Sequence, residues 1–61
     1  MLPAAPDGLW AIEGPHFSCG LEVYEGIVSR PAPIVGYMAG WPLERVRRYC
    51  ARRRWSLERV A

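Results

Sequence analysis

The alternation from Phe17 to Tyr24, closed by Glu25-Gly26, constrains this chain more than any other feature. Phe17, Cys19, Leu21 and Val23 point one way, and Ser18, Gly20, Glu22 and Tyr24 the other. That period of two is the signature of a strand with one buried face. Gly26 can take the left-handed conformation that a three-residue connection through Tyr24-Glu25-Gly26 needs. Ile27 to Arg30 then returns as a second strand, and Pro31 ends it or marks an edge.

The second half of the chain supplies the cover for that hairpin. Pro33 fits the first position of a short helix over Ile34 to Ala39, with Gly40 as its terminator. Pro42 opens a second helix, with Glu44 in its first turn, where the helix dipole favours a negative charge. At 100° per residue, Leu43, Val46, Tyr49 and Cys50 share one arc of it. This helix is expected to end near Arg54-Trp55. Ser56 to Val60 reads as a third strand, with a short final helix as the alternative. Trp10 to Glu13 has the composition of a short strand closed by Gly14-Pro15. The expected fold is therefore α+β, in the order β-β-α-α-β, with residues 1–8 as a flexible arm and 9–61 as a single domain. Phe17, Leu21, Val23, Ile34, Val46, Tyr49 and Leu57 are the expected core. A chain of 61 residues buries only about 60% of its unfolded surface. That marginal size leaves room for self-association.

Six of the eight Arg fall between Arg45 and Arg54. A guanidinium stays charged at cellular pH, and its planar fork matches phosphate and carboxylate oxygens. Arg45, Arg48 and Arg52 lie opposite the apolar arc, within about 60° of one another, and Arg47 and Arg53 extend the set. The charge is also split along the chain. Residues 1–43 hold four carboxylates against one Arg, and residues 44–61 hold seven Arg against two carboxylates. A merely solvated helix mixes its signs, unless Glu22, Glu25 or Glu58 folds back to neutralise the row. These five Arg point to an anionic partner, either nucleic acid or an acidic protein surface. The two readings are a nucleic-acid binder tracking phosphates and a protein-binding effector that inhibits a host protein; a self-associating structural module is the third. Trp10, Trp41 and Trp55 invite a base-stacking role, but their positions at element junctions favour sealing a small core.

Other functions lack the residues they require. Cys19, Cys50 and His16 are widely spaced and show no paired metal-ligand motif, so no metal or other cofactor is expected. His16, Ser18 and Cys19 do not form a nucleophile with an oriented base, and no enzymatic activity is expected. The longest apolar stretch, Ile34 to Leu43, is too short to span a bilayer and holds two glycines and a proline. The N-terminus lacks the basic start of a secretory signal. The expected setting is the cytoplasm, with both thiols reduced and packed as small hydrophobes.

Pro15-His16-Phe17, Gly20-Leu21, Gly26-Ile27-Val28, Ala32-Pro33-Ile34 and the run Val46 to Arg53 followed by Trp55 form a set of spaced landmarks. Together they resemble a group of small uncharacterised proteins from phages and prophage-like regions of GC-rich bacteria. The resemblance covers roughly residues 15–60. It implies a phage or mobile-element setting and carries over no binding residue. One departure stands out: the pattern expects a glycine near Arg54, just before Trp55. A weaker resemblance links Ile34-Val35, Gly40-Trp41, Glu44, Val46, Tyr49 and Leu57-Glu58-Arg59-Val60 to the helix-turn-helix part of small antitoxin-type DNA binders. That likeness implies a helix from Ser56 onward.

Overall fold

Among the described residues four antiparallel strands form one sheet, and a single α-helix packs across one of its faces. The computed structural model describes residues 7–61; the first six residues of the expected arm lie outside them. In chain order the elements are β1 (Gly8–Glu13), β2 (Ser18–Tyr24), β3 (Ile27–Pro31), a 3-10 helix (Pro33–Met38), α1 (Leu43–Arg53) and β4 (Ser56–Arg59). The strand order across the sheet is β3-β2-β1-β4.

The α+β class holds, but the β-β-α-α-β order does not. Its first error is β1. This strand begins at Gly8, inside the expected arm, and sits centrally, pairing with both β2 and β4. Its residues alternate as the other strands do: Trp10 and Ile12 are buried, while Leu9 and Glu13 face out. The register places Trp10 opposite Leu21, and Ile12 opposite both Cys19 and Leu57. Directly paired residues share a face, so these side chains form one apolar floor.

The second error is the first helix. Pro33–Met38 is a 3-10 helix, broken within by Val35 at φ −118°, ψ 29°. Six residues are too few to repay the nucleation of an α-helix. The tighter spiral repeats every three residues, and it turns Val35 and Met38 into the core while Ile34 stays 60% exposed. Ile34 is therefore not a core residue. The core is Trp10, Ile12, Leu21, Val23, Val28, Val35, Met38, Leu43, Val46 and Cys50, with Phe17, Tyr49 and Leu57 half-buried against it.

The β2–β3 connection is also tighter than the sequence suggested. Tyr24 pairs directly with Ile27, which leaves a two-residue loop. Glu25 (φ 54°) and Gly26 (φ 77°) are both left-handed, the requirement of a type I′ turn, whose twist matches the strands it joins. Asp7 Oδ1 accepts a hydrogen bond from the Gly26 amide at 3.0 Å. The segment after the 3-10 helix then runs along the outer edge of β3. The Val28 amide donates to the Trp41 carbonyl at 2.9 Å, the Gly40 amide donates to the Val28 carbonyl at 2.8 Å, and Ile27 bridges Pro42.

Helix α1 begins straight after Pro42, with Glu44 in its first turn and Arg52 and Arg53 in its last, both favourable for the helix dipole. Its end is a Schellman motif. The Trp55 amide donates to the Cys50 carbonyl at 2.9 Å and the Arg54 amide to the Ala51 carbonyl at 3.2 Å. Arg54 occupies the left-handed position (φ 60°, ψ 34°) that glycine usually fills. The expected helix end is correct, and the missing glycine is accommodated at a cost of about 1 kcal/mol. Ser56–Arg59 is a strand, so the helix implied by the antitoxin-type resemblance does not form there.

Candidate functional site

The site lies along the flank of α1 from Arg45 to Arg52, where Tyr37 of the 3-10 helix and Trp41 of the connecting segment face it. Val46 (0% exposed) and Cys50 (2%) fix the rotation of α1 by burying its inner arc against the sheet. One flank of the helix then carries Arg45, Arg48 and Arg52, all exposed, with Tyr49 half-buried beside them. Tyr37 from the 3-10 helix and Trp41 from the connecting segment rise against the same flank. Together these six residues line an open hollow of about 500 Å³.

The aromatic wall of this hollow is continuous. Tyr37 and Trp41 meet at 5.7 Å between ring centroids, Trp41 and Tyr49 at 5.4 Å, and Tyr37 and Tyr49 at 5.7 Å. The chain of rings runs on through Tyr49–Trp55 at 5.7 Å to Trp55–Phe17 at 4.8 Å. The Tyr37 hydroxyl donates to the Tyr49 hydroxyl at 3.1 Å. Desolvation, followed by that hydrogen bond, pushes the Tyr37 phenol up to about 12. Tyr37 therefore stays neutral and adds no negative charge to the Arg row.

Several guanidiniums rest on ring faces. Arg45 lies 4.0 Å from the Trp41 centroid. Arg53 lies 4.5 Å from Tyr49 and 5.5 Å from Trp55. Such contacts contribute about 0.5–1 kcal/mol at exposed sites, and they hold long side chains in fixed directions. Arg47 projects from the opposite flank of α1 and stacks on Trp10 at 5.2 Å. Of the five Arg singled out in the sequence, the structure brings Arg45, Arg48 and Arg52 to the hollow, Arg53 to its neighbouring rings, and Arg47 elsewhere.

Glu44 lies on α1 four positions before Arg48, yet among the described residues no carboxylate forms an ion pair with this row. Among the described residues the one ion pair joins Arg30 Nε to Glu22 Oε2 at 3.8 Å, with both side chains exposed. The register explains why Glu22 and Glu58 do not fold back. Glu22 pairs with Leu9, Glu58 with Ala11, and Glu13 with both Ser18 and Ser56. All three carboxylates therefore stand on the face of the sheet that α1 does not cover. The sequence shows charge divided along the chain; folding adds a second separation, with three carboxylates on the open face and most of the Arg on α1.

The remaining polar candidates are dispersed. Among the described residues no three of His, Cys, Asp and Glu gather where an ion could be held, and no helix is long and apolar enough to cross a membrane. Cys19 and Cys50 are free thiols. Burial pushes both above their ordinary value, Cys50 with a further contribution from Cys19. Sequence reasoning missed Tyr37 and Trp41 as lining residues. Trp41 stands four positions before Arg45, a spacing that hints at the stack; nothing local marks Tyr37. Comparison with protein-family models, curated proteins and solved structures finds no match, so the reading of this surface rests on its own geometry.

Proposed function

We propose that this domain is a non-enzymatic accessory protein of phage type that binds nucleic acid, with Arg45, Arg48 and Arg52 meeting the phosphates and Arg53 at their margin. One observation carries the reading. Arg45, Arg48 and Arg52 make no ion pair among the described residues, although Glu44 lies one helical turn before Arg48, and Glu13, Glu22 and Glu58 stand on the opposite layer, so most of the row's charge is left for an external anion. The phage setting comes from the sequence resemblance alone. A row of this kind supplies affinity and orientation more readily than sequence discrimination, because phosphate contacts carry no base information.

The test is the salt dependence of binding to an oligonucleotide. Three phosphate contacts give a slope of log affinity against log salt of about −2 to −3. Replacing Arg45, Arg48 and Arg52 with Glu abolishes binding while the circular dichroism spectrum is unchanged. A flat salt response, or full binding by the triple variant, removes the reading. A protein partner is the second possibility, supported by the Trp, Tyr and Arg composition of the hollow, since those residue types dominate interface hot spots. In that case one or two of the three Arg dominate, instead of each contributing similarly.

A further inference from the structure

The hollow holds more than a phosphate clamp needs. A row of Arg on a helix flank suffices to track a duplex backbone. Here the row borders a wall of three rings, Tyr37, Trp41 and Tyr49, and the charges and rings open into the same space of about 500 Å³. Trp41 and Tyr49 are half-buried against the core, but Tyr37 lies outside it. Tyr37 is 49% exposed, although the 3-10 helix that carries it buries both Val35 and Met38. The Arg45 guanidinium carbon lies over Trp41, 4.0 Å from the ring centroid, so that ring face is covered and a planar ligand meets the guanidinium from the helix beside Tyr37 from the 3-10 helix. In a duplex the base faces are stacked on one another and only their edges are offered; an unpaired base offers its faces to aromatic rings and guanidinium planes.

We infer that this hollow is a subsite for an unpaired nucleobase, and that the partner is single-stranded nucleic acid, its base seated against Tyr37 and the Arg45–Trp41 stack and its flanking phosphates on Arg48 and Arg52. This rests on the nucleic-acid reading above and adds the class of strand.

Three probes of equal length separate the two claims: a thymidine strand of about 12 nucleotides, within the usual site sizes, a strand of abasic units with the same phosphates, and a duplex. Binding is read by fluorescence anisotropy at one salt concentration and then across a salt series. The thymidine strand is expected to bind about 5- to 150-fold more tightly than the abasic strand for each stacked base, with the same salt slope, and more tightly than the duplex. Tyr37→Ala should reduce thymidine binding toward the abasic level and leave abasic binding and the slope unchanged. Tyr37→Leu, which keeps bulk without a π face, serves if the alanine variant loses its fold, and the wild-type comparison needs no variant. Equal affinity for the thymidine and abasic strands, or preference for the duplex, overturns the base subsite and leaves the phosphate-binding reading standing. Failure of all three probes to bind overturns both and leaves the protein-partner reading.

Discussion

The two faces of the sheet differ in what they had to solve. The covered face is apolar at its centre: Trp10, Ile12, Leu21, Val23 and Val28 meet Val35, Met38, Leu43, Val46 and Cys50. The open face is mixed, with Ala11, Ser18, Gly20 and Ser56 between Glu13, Glu22 and Glu58, and with Leu9, Tyr24 and Arg30 exposed beside them. The contrast shows how 61 residues manage a helix with six positive charges at or near it. The covered layer fixes the rotation of α1, and the open layer holds three of the acids, Glu13, Glu22 and Glu58, away from the Arg row. Stability and the proposed binding surface therefore draw largely on different residues, with α1, Trp41 and Tyr49 serving both.

Neighbouring residues test that division most sharply. Leu21 and Glu22 are adjacent in β2 but stand on opposite faces. Leu21→Ala should lower stability by about 2–5 kcal/mol, a large share of what so small a domain possesses. Glu22→Ala removes only an exposed ion pair at 3.8 Å and should cost less than about 0.5 kcal/mol. Denaturant midpoints compare the two, and equal losses would break the two-face description.

The thiols extend the comparison to pH. Burial raises Cys50, and Cys19 with it, above the ordinary 9.0. The folded state therefore holds these protons more tightly than the unfolded chain does. Their contribution to stability is complete below pH 9.0 and is lost as the pH climbs from there through the raised folded values. Midpoints measured across that range should fall, and Cys50→Ala should flatten the fall. A profile unchanged by that substitution would show that the thiol is not held as described.

Smaller effects are expected at the two ends of the Arg run. Arg54→Gly should raise stability by about 0.5–1 kcal/mol by relieving the left-handed position, measured as an increase in melting temperature. Arg47→Ala should lower it by about 0.5–1 kcal/mol through loss of the Trp10 stack while leaving binding at the hollow intact. The smallest effect tests the open face. Neutralising Glu13 and Glu58 to Gln should change oligonucleotide affinity by less than about threefold, because both are solvent-exposed on the opposite face and exposed charges are screened by salt. A larger gain would mean that the two faces are electrostatically coupled.

The hairpin was legible because period-two alternation and Gly26 are both local signals. Helix α1 was legible because Leu43, Val46 and Cys50 recur on one arc, and the same geometry placed Arg45, Arg48 and Arg52 together. The central position of β1 was not. Four strand-like residues between glycines show a tendency to extend, but not that they will pair on both sides. The 3-10 helix was misread as α because its pitch is decided by Val35 and Met38 reaching the sheet, a tertiary demand. The aromatic wall was hidden for a related reason. Tyr37 and Tyr49 meet across twelve positions, and no periodicity within either element reports that meeting. At Arg54 the expectation of glycine identified the correct backbone conformation, although the sequence places Arg there.

The Gly40–Pro42 segment lying along β3 gives this sheet, in effect, a valence of one. Among the described residues the β3 side is already hydrogen-bonded, and β4 alone presents an unpaired row of backbone groups. A sheet open on both sides can extend without limit, which is the hazard that edge strands carry. A sheet open on one side can add a single partner strand. If two copies met through β4, each would consume the other's only open edge, and growth would terminate at a closed pair instead of continuing into a fibre.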